Sequence, residues 1–243
     1  MKIIISPSKK QNIKLIGVTS TKTVSLSPKT KKLFSMLEKM EKEELSNVLK
    51  IKGKLLEATF LTYQKKQLNE QAMPAIKCYE GVVFEQLQLD DYSAKSRQYL
   101  NEHLRILSAM YGVLSPDTLI YPYRLDMTIK LPDINLYDFW HTTIIDEFKD
   151  EDFIINLASI EFSRMIQIPK VKLINIDFYD ENKDSSLKII SYNAKKARGK
   201  MVNYLIVNQI YSLDGIKSFK EDGYLFSQDK STQANLVFIK RYK

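Results

Sequence analysis

The sequence predicts a mixed α/β fold built as one domain, and three observations predict it. In the C-terminal third, short apolar stretches of strand length alternate with segments whose apolar residues recur at helical spacing. The region after residue 27 reads instead as consecutive short helices. Finally, the 243 residues hold only 7 glycines and 7 prolines. No Gly/Pro-rich linker divides the chain, so residues 1–243 are expected to form a single domain with a helical N-terminal region.

The elements follow in order. Lys2–Ile5 reads as a strand ending in the loop Ser6-Pro7-Ser8-Lys9-Lys10, and residues 11–27, rich in Ser, Thr and Lys, read as an extended surface loop. Ser27 and Pro28 stand as N-cap and first residue of a helix carrying Leu33, Phe34, Leu37 and Met40. Helices over 42–49 and 54–65 come next, joined by Lys50-Ile51-Lys52-Gly53-Lys54. Two short helices about a tight Gly-containing turn resemble a helix-hairpin-helix, whose turn amides grip a DNA phosphate. That motif carries two glycines where this turn has Gly53 alone, so an ordinary helical hairpin is the competing reading. The lysines at 50, 52 and 54 favour DNA.

A helix over Asp90–Asn101, a strand over Leu104–Ser108, a turn over Tyr111–Pro116 and a helix over Leu136–Phe148 follow. The remainder reads as strand 153–157, helix 159–166, strand 171–178, the turn Asp180–Ser186, strand 187–192, helix 195–210 and strands 224–227 and 235–240. In the stretch Lys188–Lys200, Asn193 is expected as N-cap, which puts Lys195, Lys196, Arg198 and Lys200 in the first helical turns. Cations are unfavourable there by several tenths of a kcal/mol (roughly) each, because the macrodipole is positive at that end. Free amides and cations together make an anion site, best suited to phosphate. A solvated basic helix end is the alternative.

Composition narrows the function classes. One cysteine, Cys78, excludes an internal disulfide and a thiolate-rich metal site. Cys78 reads as a small buried hydrophobe. Two histidines, His103 and His141, are too few for a histidine-based centre. No metal or cofactor is expected. No apolar run approaches the ~20 residues that span a bilayer, and three isoleucines before Ser6-Pro7 are too short for a signal-peptide core, so a cytoplasmic protein without membrane contact is expected. The net charge of +8 is uneven: residues 1–54 hold 13 lysines and 4 acids, and Leu187–Leu213 contains no acid. This asymmetry suggests a polyanionic partner.

Four loops fall just after expected strands, at Ser6–Lys10, Ser108–Gly112, Asn156–Glu161 and Asn193–Arg198, the ends of α/β strands where ligands bind. Convergence would gather Ser6, Lys9, Tyr111, Asn156, Ser159, Glu161, Lys195, Lys196 and Arg198 around one cleft, with Glu161 as the candidate general base. The phosphate-loop and dinucleotide glycine fingerprints are absent, as is a nucleophile elbow. In Tyr121–Met127, alternation puts Arg124 and Asp126 on one face and Tyr121 and Tyr123 on the other. Arg124 could clamp a phosphate or stack on a base; a structural Arg–Asp pair under a tyrosine lid is the competing reading.

Six segments in order resemble the YaaA family of bacterial peroxide-stress proteins: IISPSK at 4–9, LRILSAMYGVLSPDTLIYPYRLDM at 104–127, LYDFW at 136–140, INLASIEFS at 155–163, KIISYNAKKARGKM at 188–201 and GYLF at 223–226. The resemblance implies a single α/β domain peculiar to that family, with a helix-hairpin-helix element and a basic cleft. It also implies binding of double-stranded DNA and a role in limiting peroxide damage, linked to lowering free iron. The motif positions are Ser6, Pro7, Lys9, Tyr111, Gly112, Arg124, Asn156, Ser159, Glu161, Lys195, Lys196, Arg198 and Gly199. With one cysteine and few histidines, the chain is poorly equipped to destroy peroxide or hold iron itself. Protection by binding DNA is the leading expectation; an enzyme acting on a nucleotide or nucleic-acid base in the same cleft is the alternative. Protein partners stay open.

Overall fold

The computed structural model describes residues 1–12, 24–64 and 72–241. Most of the expected surface loop at 11–27 therefore lies outside the described residues. In chain order the elements are β1 (Lys2–Ile5), β2 (Lys10–Gln11), α1 (Pro28–Glu38), α2 (Lys42–Leu49), α3 (Gly53–Gln64), β3 (Met73–Pro74), α4 (Ala75–Cys78) and β4 (Tyr79–Glu80). A 3-10 turn at Phe84–Gln86 precedes α5 (Ala94–His103), β5 (Leu104–Ser108), β6 (Gly112–Leu114), β7 (Leu119–Ile120) and α6 (Leu136–Phe148). Then come β8 (Phe153–Asn156), α7 (Ile160–Ser163), β9 (Lys172–Glu181), β10 (Leu187–Lys188), α8 (Ser191–Val207), α9 (Leu213–Lys217), β11 (Tyr224–Phe226) and β12 (Asn235–Lys240).

The fold is mixed α/β. Its main sheet runs β11-β12-β9-β8-β1-β5-β6, with β10 paired to β9. The five central strands, β12 to β5, are parallel, and antiparallel β11 and β6 close the two ends. Central parallel strands are covered on both faces and need apolar side chains on both. Ile3, Ile4 and Ile5 are accordingly all fully buried, as are Leu104, Ile106 and Leu107. One continuous cluster of buried side chains runs from β1 through α1 and α6 to α8 and β12.

Chain order and sheet order disagree at one place. From β1 the path moves to β5 on one side, then crosses back to β8 on the other and continues outward to β9 and β12. Such a reversal leaves a crevice beyond the carboxyl ends of the two strands that flank it, because their outgoing loops diverge. Here those strands are β1 and β8.

Local signals account for most element boundaries. Ser27 caps α1, its Oγ accepting from the Thr30 N–H at 3.1 Å. α2 ends with Lys50 in the left-handed region at φ 54°, and α3 starts at Gly53 with φ 56°. Two expectations are corrected. Residues Gly112–Leu114 are a strand paired with β5, not only a turn. Gly112 sits at φ 78° against the Trp140 ring, where a Cβ would lie 2.6 Å from Cε3. That close approach lets the hairpin fold down on α6. At 187–192 the strand is only two residues long and the helix begins at Ser191 behind Ile190, with no side-chain cap. Asn193 is no N-cap because it lies inside the first turn, where its amide donates to Asp180 Oδ1 at 3.0 Å.

Candidate functional site

The loops leaving β1 and β8 are stitched together by two serines. Ser6 Oγ accepts from the Ser159 N–H at 2.8 Å and donates to Ser159 Oγ at 3.1 Å. Beyond this seam lies a cavity of about 550 Å³ whose wall includes Ser6, Lys9, Arg124, Ser159, Lys195 and Arg198. Its size falls in the range of small-molecule sites.

Each charged group has a definite setting. Lys9 pairs with Asp126 at 2.7 Å, and Lys10 pairs with Glu80 at 2.9 Å. Arg124 reaches the Lys9 carbonyl through Nη1 at 3.5 Å. Glu161 Oε1 accepts from the Met127 N–H at 3.1 Å, and its backbone carbonyl accepts from Tyr137 Oη at 2.9 Å. Glu161 thus pins the 121–127 segment over the cavity, with Oε2 bearing no hydrogen bond among the described residues. Arg198 is different. Its guanidinium makes no hydrogen bond or ion pair among the described residues, and its Nε is buried without a partner. Desolvation holds its pKa below the ordinary arginine value, against the opposing pull of the Asp177 carboxylate. A desolvated, unpartnered guanidinium is costly, and an anion arriving beside it would relieve that cost.

Beneath the cavity the tyrosines lock the floor. Tyr123 Oη bonds to Ser108 Oγ and to Tyr79 Oη, each at 2.8 Å, and burial raises the pKa of all three phenols at Tyr79, Tyr111 and Tyr123. They are neutral packing groups at physiological pH. A shallow recess lined by Leu55, Ala58, Thr59 and Thr62 of α3 connects this region, through Lys9 and Arg124, with the helix that begins at the 50–54 turn.

A sequence profile of the family described as peroxide stress protein YaaA matches residues 1–230. The chain belongs to the YaaA family. A UPF0246 protein of Fusobacterium nucleatum is 41% identical over 251 residues, covering 99% of each chain. Another from Rickettsia felis is 37% identical over 249 residues, covering 99% of this chain and 100% of its own. A third, from Acaryochloris marina, is 35% identical with 99% and 100% coverage.

The YaaA motif residues divide between several places. Ser6, Lys9, Arg124, Ser159, Glu161, Lys195 and Arg198 line the first cavity. Lys196 does not: it sits one step round α8 and pairs with Asp222 at 3.1 Å. Tyr111 stands outside the cavity, because its hydroxyl is tied to the backbone of Tyr121 through bonds of 2.8 and 3.0 Å. Tyr123, which the sequence placed with the lid, lines the cavity instead. Asn156 faces a second cavity with Asn175, Asp177 and Asn235. Lys195 and Arg198 lie in the second turn of α8 or later, past its N-terminal amides, so an anion arriving between them would meet side chains and not the helix end. Lys50 and Lys52 lie in the exposed turn between α2 and α3, Gly53 and Lys54 open α3, and the three lysines make no ion pair among the described residues. Gly199 allows contact between α8 and the Phe84–Gln86 turn: a Cβ there would lie 2.4 Å from the Val83 carbonyl oxygen. Asp177 and Asn235 carried no signal in the sequence, since their meeting depends on strand register.

Among the described residues no three His, Cys, Asp or Glu side chains gather as a metal-binding group, and no helix is long and apolar enough to cross a membrane.

Proposed function

We propose that this YaaA protein binds double-stranded DNA through its phosphates and thereby limits oxidative, iron-linked damage. Lys50, Lys52 and Lys54, with the backbone amides of the turn around Gly53, contact the duplex backbone in helix-hairpin-helix fashion. Arg124, Lys195 and Arg198, seated with Ser6 and Ser159 beside the Lys9–Asp126 pair, take a phosphate or an extruded nucleotide in the cavity. The observation that carries this reading is the contrast in pairing. Lys9, Lys10 and Lys196 are neutralised by carboxylates, whereas Lys50, Lys52, Lys54, Lys195 and Arg198 are not, among the described residues. Phosphate contacts position without specifying sequence, so weak sequence preference and steep salt dependence are expected.

Binding of a labelled duplex of about 25 base pairs across a salt series tests it, since each phosphate contact contributes roughly 0.9 to the slope of log K against log salt. Lys195→Ala with Arg198→Ala should weaken binding and flatten the slope by about 2. No duplex binding at low salt would sink the proposal, and an unchanged slope would remove the cavity from it.

One observation favours a second reading, an enzyme acting on a nucleotide or base. The cavity of about 550 Å³ is small and walled, and the free carboxylate oxygen of Glu161 stands at its edge as a possible base. Salt-sensitive binding that survives Glu161→Ala unchanged would leave that residue the structural task of holding Met127.

A further inference from the structure

The segment 156–161 is a partition between two cavities. Leu157, Ser159 and Glu161 line the first, while Asn156, Ala158 and Ile160 line a second of about 430 Å³. β8 ends at Asn156 and α7 begins at Ile160, so the short connection between them, together with the first residues of α7, presents alternate residues to the two cavities. Arg198 is the residue that lines both cavities.

The floor of the second cavity is a row of three asparagines. Asn156 on β8 is in register with Asn175 on β9, which is in register with Asn235 on β12. Register neighbours on parallel strands share a face, and Asp177 follows on that face two residues after Asn175. Two of the three side-chain amide nitrogens in this row already donate. Asn156 Nδ2 donates to Asn175 Oδ1 at 2.7 Å, and Asn175 Nδ2 reaches the Ala234 carbonyl at 3.4 Å. Two acceptors on this face are left open. Asn235 Oδ1 is buried with no partner, and the Asp177 carboxylate, within electrostatic reach of Arg198, lies on the same face. Buried unsatisfied polar atoms cost about 1–3 kcal/mol each, which a ligand with matching donors would recover. At the rim stands Ile160, 71% exposed, an apolar surface for a flat ring.

We infer that this second cavity is a base pocket for a guanine-type heterocycle whose phosphate is held at Arg198 on the near side of the partition. Guanine offers an N–H and an adjacent amino group on one edge, the donor pair that a carboxylate and an amide oxygen accept. Adenine, cytosine and thymine present fewer donors there. The pocket rests on the reading of Arg198 as a phosphate ligand, and the experiment separates the two.

The full chain is titrated calorimetrically with dGMP, dAMP, dCMP, dTMP and 2-deoxyribose 5-phosphate. The sugar phosphate reports on the phosphate site around Arg198, and the excess affinity of a nucleotide over it reports on the asparagine row. dGMP is expected to bind roughly tenfold or more tighter than the sugar phosphate and than the other nucleotides, the discrimination of one good bidentate pair. Asp177→Asn should erase that preference while retaining sugar-phosphate binding, and Asn235→Ala should reduce it. Arg198→Ala should weaken all five ligands. Equal affinity for dGMP and the sugar phosphate, equal affinity for all four nucleotides, no dGMP binding at millimolar concentration, or a guanine preference untouched by Asp177→Asn would each overturn the pocket. Loss of the phosphate reading alone would show differently: sugar-phosphate binding indifferent to Arg198→Ala.

Discussion

Gly199→Ala perturbs the contact that sets α8 against the cavity wall. An added Cβ would lie 2.4 Å from the Val83 carbonyl oxygen and 2.8 Å from Gln86 Cγ, where ordinary contact begins at 3.4 Å. Gln86 can swing away, but the Val83 oxygen is backbone, so the helix or the turn must yield by about 1 Å. Overpacking of this kind costs about 1–3 kcal/mol, with a backbone clash toward the upper end. Alanine recovers up to about 1 kcal/mol of helix propensity. The balance is a net loss of about 1–2 kcal/mol, or a fall in Tm of roughly 2–8 °C for a chain of this size. Gly53→Ala is the natural comparison, since its φ of 56° is strained for alanine while no atom lies within 4 Å of the added Cβ. Thermal unfolding followed by circular dichroism reads both. A Gly199→Ala protein with unchanged or higher Tm would refute the packing explanation for this glycine.

Gly112→Ala should cost more than Gly199→Ala, because φ of 78° and the rigid Trp140 ring, 2.6 Å from the added Cβ, act together; a smaller drop in Tm would contradict this. Burial, aided by the charge of Glu80, pushes the Cys78 thiol up to about 12, so iodoacetamide at pH 8 should label the unfolded chain and leave the native protein unmodified over hours. Rapid native labelling counts against a buried, inert thiol. The Asp222 carboxyl is held below its ordinary value mainly by the Lys200 hydrogen bond, with Lys196 assisting. A depressed folded pKa contributes stability above the unfolded value near ~3.9, which is lost as pH falls through the folded value. Asp222→Asn should therefore flatten the acid-side decline in Tm, and an identical profile would show that the pair contributes nothing.

The sequence made the sheet and the long helices legible because their signals are local. Ile3–Ile5 are apolar without a break, as a strand buried on both faces requires, and Ser27-Pro28 mark a helix start with a side-chain cap and a residue lacking its N–H. α8 shows the limit. Its first turn, Ser191-Tyr192-Asn193, has β-competent residues and no side-chain cap, so local preference placed its start four residues late; within that turn Asn193 bonds Asp180 across to β9. The cavity at Ser6, Lys9, Ser159 and Arg198 was legible as strand-end loops. Tyr111 was misplaced because a phenol gives no sequence sign of whether its hydroxyl will find Tyr121 backbone or open space. The register that lines up Asn156, Asn175 and Asn235 joins positions far apart in the chain, and no local pattern announces it.

Surface loops ordinarily absorb insertions and deletions with little consequence. The segment from Asn156 to Glu161 has no such freedom, because it behaves like a reading frame. Adding or removing one residue between Asn156 and Ser159 would move Ser159 away from its bond to Ser6 and shift the residues that line each chamber relative to one another. The number of residues here is as much a part of the site as their identity. Substitutions can tune each chamber separately, but a change in length must rewrite both at once.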